Sequence, residues 1–186
     1  DGGAHLITYH PQGGHTSTEF VHGEAWLDFN QMQSGHSAKN KPNYKMMAAD
    51  RAMQPVKPCM DGEPCYEDHP VRHGRNREWF DEWDARKLCY WALLAGACGH
   101  TYGAHPVWQF WDGKSKPCSD PRHSWMDAIQ LLGSTHVGHA KRLLLSRPFL
   151  TRVPDASLLA SPAGEGADHV EAMRDAERTF AMKIGR

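Results

Sequence analysis

The apolar positions change period several times along the chain. His5-Leu6-Ile7-Thr8-Tyr9-His10 is a short run with β-branched members, stopped by Pro11 and the Gly13-Gly14 pair, and it reads as a buried parallel strand. After a polar loop over 15–24, the alternation from Trp26 to His36 predicts a second strand ending near Ser34. Asn43 to Gln54 carries Tyr44, Met47, Ala48 and Met53 at helical spacing. Pro55 to Asp61 predicts a third strand, entering the acidic turn Asp61-Gly62-Glu63-Pro64. From Glu78 to Ala97 the period becomes helical. Trp79, Trp83, Leu88, Trp91 and Leu94 fall near one face, while Glu82, Arg86 and Lys87 fall largely elsewhere. The acidic start (Glu78, Asp81, Glu82, Asp84) suits the positive end of a helix dipole. Gly96 and Gly99 frame the helix end and a fourth strand, Cys98 to Gly103, with Trp108-Gln109-Phe110-Trp111-Asp112 just beyond. A last helix, Thr135 to Ser146, places Val137, Ala140, Leu143 and Leu144 on one side and stops before Pro148.

Strands alternating with helices imply an α/β fold with a parallel sheet and crossover helices. The long polar loops mostly follow strand ends rather than precede strand starts, which is the mark of a (β/α) barrel whose site is built from those loops. A doubly wound sheet is the alternative, but no Gly-x-Gly-x-x-Gly turn opens any of the helices. After Pro154 the character changes. Ser161 to Gly166 is linker-like, and 169–174 with 179–184 read as a hairpin around Asp175-Ala176-Glu177. The expected division is therefore 1–153 for the barrel part and 154–186 for a linker and the first strands of a β domain.

Composition narrows the chemistry. The 186 residues carry 21 Lys plus Arg against 22 Asp plus Glu, a formal net charge of -1 with no basic stripe, so nucleic acid is not an expected partner. The apolar run from Tyr90 to Cys98 is far shorter than the roughly 20 residues a membrane span takes. The chain opens on Asp1-Gly2-Gly3 with no initiating Met and no visible signal peptide, so an N-terminus that was trimmed or never captured is expected, with no implication for compartment. The five cysteines form no Cys-x-x-Cys pair and are expected as mostly buried free thiols. No cofactor is expected, and no metal either, because the one helical pair, His136-x-x-His139, lacks a third ligand nearby. A Gly-x-Ser-x-Gly elbow is absent. The 13 His and 7 Trp are unusual, and they suit a sugar site, where flat rings stack on C–H faces and imidazoles exchange hydrogen bonds with hydroxyls.

Several blocks together resemble the apiosidase-like glycoside hydrolases, first catalogued as a domain of unknown function. They are His10-Pro11-x-Gly13; Trp26-Leu27-Asp28-Phe29-Asn30 with Gln33-Ser34-Gly35-His36; Asp61-Gly62-Glu63-Pro64-x-Tyr66-Glu67; and Gly99-His100-Thr101-Tyr102-Gly103 with Trp108-Gln109-Phe110-Trp111-Asp112. Ser146-Arg147-Pro148-Phe149 and Ala172-x-Arg174-Asp175-Ala176 extend the resemblance through the tail. The resemblance implies the C-terminal half, strands five to eight, of a (β/α)8 TIM barrel, followed by the start of a small β-sandwich. It implies a bacterial, secreted or periplasmic enzyme acting on plant-cell-wall oligosaccharides, with apiose-containing pectin as the leading substrate. Enzymes of this architecture carry one catalytic carboxylate after the fourth strand and another at the end of the seventh. Glu63 matches the seventh-strand position, and the fourth-strand carboxylate, with the N-terminal half-barrel needed to close the fold, is expected upstream of residue 1.

Glycoside hydrolysis takes two carboxyls flanking the bond, and Gly62 and Pro64 shape a turn that suits a rigidly held Glu63. Glu67 is either the alternative active carboxylate or a hydrogen-bond acceptor behind the site, and Asp61 is expected to orient a neighbouring Arg or His. Asp28 is expected in a structural role. Substrate contacts are assigned to His10, Gln33, His36, Tyr66 and His105, with Tyr102, Trp108 and Trp111 as an aromatic platform at the last strand end. The rival reading is a carbohydrate-binding or structural module without catalysis.

Overall fold

A computed structural model of the chain describes residues 3–74, 77–148, 150–175 and 179–182, the last four by backbone alone. Three short strands, β1 (Asn30–Met32), β2 (Cys59–Asp61) and β3 (Gly99–His100), form a parallel sheet in the order β1-β2-β3. Asn30 pairs with Cys59 and Met32 with Asp61; Met60 pairs with Gly99 and Asp61 with His100. Helices α1 (Asn43–Arg51) and α2 (Glu82–Leu94) make the two crossovers, as parallel neighbours require. The chain is thus an α/β fold, with strands two to four of the sequence reading present but shorter than expected.

The first expected strand, His5 to His10, is not one. Its backbone lies beside Asp28 and Phe29, but side chains occupy the ladder positions. Asp28 Oδ2 accepts the Ile7 N–H at 2.7 Å, and the Thr8 hydroxyl donates to the Phe29 carbonyl at 2.7 Å. One backbone bond remains, from Asp28 N to the Ile7 carbonyl at 3.0 Å. Asp28 thus ties this segment to the start of β1 through both its side chain and its backbone. Leu6 is left exposed at 78%.

Helix α2 starts later than its periodicity suggested because Asp81 and Asp84 form a reciprocal capping box. Asp81 Oδ1 accepts the Asp84 N–H at 3.0 Å, and Asp84 Oδ2 accepts the Asp81 N–H at 3.3 Å. Residues 78–80 run extended instead, with Phe80 N donating to the His69 carbonyl, so Trp79 is off the helix and its indole reaches the Asp120 carbonyl at 2.6 Å. The expected single apolar face is also a simplification. Ten residues of α2 are buried, since α1, β3 and α5 (Leu132–Leu145) all pack on it. Lys87, expected away from the apolar face, is 2% exposed and bonds Asp84 Oδ1 at 3.0 Å. Full burial of Leu88, Trp91 and Leu94 contributes on the order of 1.5–3 kcal/mol each.

Short helices α3 (His105–Trp108) and α4 (Trp125–Ala128) lie in the loop after β3 and carry no periodicity long enough to have been read. Beyond α5, β4 (Val153–Pro154), β5 (Glu171–Arg174) and β6 (Thr179–Met182) form an antiparallel sheet, with Glu171 opposite Met182 and Arg174 opposite Thr179. The expected hairpin is present, and its turn at Ala176-Glu177 lies outside the described residues, as do its last two expected positions, 183–184. This sheet is tied to the helices: Trp91 Nε1 donates to the His169 carbonyl at 3.1 Å, and the Tyr44 ring stacks on His169 at 3.5 Å. All five cysteines are unbridged; Cys59, Cys65 and Cys89 are buried, whereas Cys98 and Cys118 are exposed. Among the described residues no helix is long and apolar enough to cross a membrane.

Candidate active site

The loops leaving the C-terminal ends of β1, β2 and β3 meet around a cleft of about 580 Å³. Glu63 sits in its wall with its side chain 21% exposed, two residues past the end of β2. Gly62 allows this placement, because a Cβ there would lie 2.3 Å from the Gln31 side chain. Both carboxylate oxygens have partners. Gln33 Nε2 donates to Oε1 at 2.6 Å, His10 Nε2 stands 3.1 Å from Oε2, and His36 Nδ1 is 3.9 Å from Oε1. The other ring nitrogen of His10 is 2.9 Å from the Pro11 carbonyl.

Asp61 lies behind this group, fully buried. It does not orient an Arg or His as expected. It accepts from the Ser34 hydroxyl at 2.7 Å and from Asn43 Nδ2 at 3.0 Å. Burial pushes its carboxyl above the usual range, against the lowering effect of those bonds. Its effect on the site passes through Ser34, which fixes the turn presenting Gln33 and His36. Glu67, also buried, accepts from the Tyr102 hydroxyl at 2.6 Å and from the Gly133 N–H at 2.9 Å. Burial raises its carboxyl as well. Glu67 is thereby committed to anchoring the start of α5, and Tyr102, bonded to it, stands outside the cleft lining.

A run of rings forms the rest of the wall. His36 meets the Tyr66 ring edge-on at 4.8 Å and stacks on His69 at 4.0 Å; His69 meets His105 at 4.3 Å, and His105 stacks on Trp108 at 5.8 Å. Burial, reinforced by the neighbouring imidazoles, lowers His36 to about 3 and His69 to about 4, and burial also lowers His105. These three rings are therefore neutral near pH 7, and they read hydroxyls as dipoles rather than as charges. Tyr66 is pushed up to about 12 by burial and by Glu63, so it stays a phenol. Trp108 is 59% exposed, with a face available at the cleft mouth. Trp111 is not among the lining residues; its indole N–H is bonded to the Ser115 carbonyl at 2.7 Å within its own loop. Of the expected platform, Trp108 alone lines the cleft.

His69, Arg72, His73 and Ser119 line the cleft and were missed. Arg72 and His73 adopt left-handed backbone angles (φ 52° and 57°), ahead of Gly74 at 91°. Only Gly74 could have signalled this from sequence, since Arg and His are uncommon hosts of positive φ. Cys118 and Ser119 reach the wall because Gln109 clamps Cys118 through both its N–H and its carbonyl, at 2.8 and 3.0 Å.

Tyr66 is held by a steric fit that can be tested. A Cβ on Gly103 would come within 2.3 Å of its ring. Gly103→Ala is expected to displace the ring, costing about 1–3 kcal/mol of stability and about ten- to a hundredfold in turnover. Wild-type turnover in a folded Gly103→Ala protein would take Tyr66 out of the chemistry.

This arrangement of parallel sheet, crossover helices and loop-built cleft is that of solved glycoside hydrolases. One, described as a glycoside hydrolase, is 34% identical with a TM-score of 0.87 over 92% of this chain and 42% of its own. Another, a family 5 glycoside hydrolase from Bacteroides vulgatus, is 34% identical with a TM-score of 0.86 over 92% of this chain and 40% of its own. The chain thus spans about two-fifths of the length of these proteins. Residues 1–151 match the apiosidase-like catalytic domain, and the chain belongs to that family. No curated protein matches it.

Proposed function

We propose that this chain carries the Glu63 side of a glycosidase active site, cleaving glycosidic bonds in plant-cell-wall oligosaccharides, with apiose-bearing pectic fragments as substrate. The observation that carries the reading is the clamping of Glu63, with Gln33 on one oxygen and His10 on the other, in a cleft edged by an exposed Trp108. A carboxylate so held points one way before substrate arrives, which lowers the reorganisation needed at the transition state. Glu63 is the one carboxylate lining the cleft among the described residues, and hydrolysis takes two. The other is proposed to come from the fourth strand of a (β/α)8 barrel whose strands five to eight correspond to residues 1–153. Residues 154–186 would then open a β domain packed behind that barrel. The proposed location is secreted or periplasmic, where a bacterium meets plant-cell-wall oligosaccharides.

The test is hydrolysis of apiosyl and other pentosyl glycosides by the intact protein as its gene encodes it. Release of the pentose is expected, and sugar binding without any cleavage would favour a carbohydrate-binding module instead. On the same panel Trp108→Ala should raise KM about tenfold, the loss of roughly 1.4 kcal/mol of apolar contact, with kcat little changed. An unchanged KM would remove Trp108 from the sugar platform.

A further inference from the structure

We infer that Asp68 is a positioning residue for the proposed hydrolysis: it ties residues 118–123 to the loop after β2 and thereby sets the cleft wall at His105, Cys118 and Ser119. This rests on, and deepens, the glycosidase reading. Asp68 stands on the loop that carries Glu63, next to the cleft-lining His69, while its own side chain is fully buried outside the lining. A carboxylate is stable in such a place only when it is paired and hydrogen-bonded. Its partners come from one distant segment. Oδ2 accepts the backbone N–H groups of Arg122 at 2.9 Å and of His123 at 3.1 Å, and Oδ1 accepts Arg122 Nε at 2.6 Å. His123 Nδ1 also lies 3.0 Å from Oδ2. A second tie supports the first. The Trp79 indole donates to the Asp120 carbonyl at 2.6 Å, and the Arg122 guanidinium lies over the Trp79 ring at 5.3 Å.

The tied segment builds the wall. Cys118 and Ser119 line the cleft, His105 Nε2 is 2.9 Å from the Cys118 carbonyl, and His73 Nδ1 is 3.2 Å from the Ser119 hydroxyl. Between α3 and α4 these residues belong to no helix or strand, so side-chain ties of this kind fix their place. The clamp on Glu63 is made by Gln33 and His10, on other loops. A loosened wall therefore weakens substrate binding and leaves the reacting carboxylate in position. The backbone of Asp68 is left-handed (φ 61°), a conformation that Asp and Asn tolerate. Asn in its place keeps the turn but not the tie. Both oxygens face N–H donors, so either orientation of an amide sets its NH2 against one of them.

The test compares Asp68→Asn and Arg122→Gln with wild type in the intact protein, by amide hydrogen exchange and by kinetics on the best pentosyl glycoside. In Asp68→Asn the amides of 118–120 and 122–124 should exchange at least about tenfold faster. KM should rise about tenfold, with kcat within about twofold of wild type. Arg122→Gln keeps the backbone donors and changes a side chain that is already 45% exposed, so it should fold and shift both readouts less, in the same direction. Cys89→Ala, a truncation in the core of α2, controls for lost stability alone and should leave KM unchanged. Unchanged exchange in 118–124, faster exchange with an unchanged KM, or an equal rise of KM in Cys89→Ala would each overturn the inference. Faster exchange in a protein that hydrolyses no glycoside would sink the glycosidase reading and leave the tie standing.

Discussion

Glu63→Gln is expected to cut glycoside hydrolysis by about a thousandfold or more while leaving the fold intact. Both potential roles of this residue, nucleophile or base, need an unshared carboxylate pair at the anomeric carbon, and an amide offers neither. The fold should tolerate the change because the structural contacts of this residue are made by its backbone: its carbonyl accepts the Gly35 N–H at 3.0 Å. Its side-chain partners, Gln33 and His10, can each pair with an amide. Measured as kcat/KM on the best pentosyl glycoside, with circular dichroism and thermal melting as controls, the variant should be folded and inactive. A folded Glu63→Gln protein with ordinary turnover would move the chemistry elsewhere, and Glu67 is poorly placed to receive it, being committed to Tyr102 and Gly133.

Asp84→Ala is expected to cost about 3–5 kcal/mol of folding free energy. Asp84 is 3% exposed and holds the buried Lys87 at 3.0 Å and Lys39 at 2.8 Å, while also closing the capping box of α2. Removing it leaves the Lys87 ammonium inside the core with no carboxylate, although the faces of Trp83 and Trp91 remain 5.6 Å away. Burial pushes the Asp84 carboxyl up, but the Lys39 hydrogen bond and the Lys87 charge overcome it, and the net shift is downward. A folded pKa below the unfolded value of about 3.9 gives stability that is present above that pH and lost as pH falls through the folded value. Urea unfolding should therefore show a large loss at pH 7, and the variant should lose less further stability than wild type below about pH 4. A loss under 1 kcal/mol, or parallel acid limbs, would show that the Lys39–Asp84–Lys87 group contributes little.

Much of this architecture was legible in the chain, and the losses have identifiable causes. The switch from period two to helical period placed α1, α2, α5 and three strands, because each buries a face for which a repeat in sequence is the direct record. Strand lengths were overestimated, since hydrophobicity cannot reveal that the side chains of Asp28 and Thr8 take the bonds a neighbouring strand would need. The start of α2 was blurred by Trp79, an aromatic whose partner is a loop carbonyl 41 residues away. Within the site, Glu63, His10, Gln33 and His36 stood in recognisable blocks and do converge. His69, Arg72 and His73 did not stand out, because their role depends on a left-handed turn that their residue types rarely adopt. Tyr102 and Trp111 looked equivalent to Trp108 by position, and only hydrogen bonding to Glu67 and Ser115 separates them.

The most direct test of the central claim is azide rescue of Glu63→Ala on an aryl pentosyl glycoside with a good leaving group. The account predicts that hydrolysis is lost and that added azide restores aryl alcohol release by attacking the anomeric carbon vacated beside Glu63, yielding a glycosyl azide visible by NMR. Undiminished hydrolysis by Glu63→Ala, with no azide product, would contradict it.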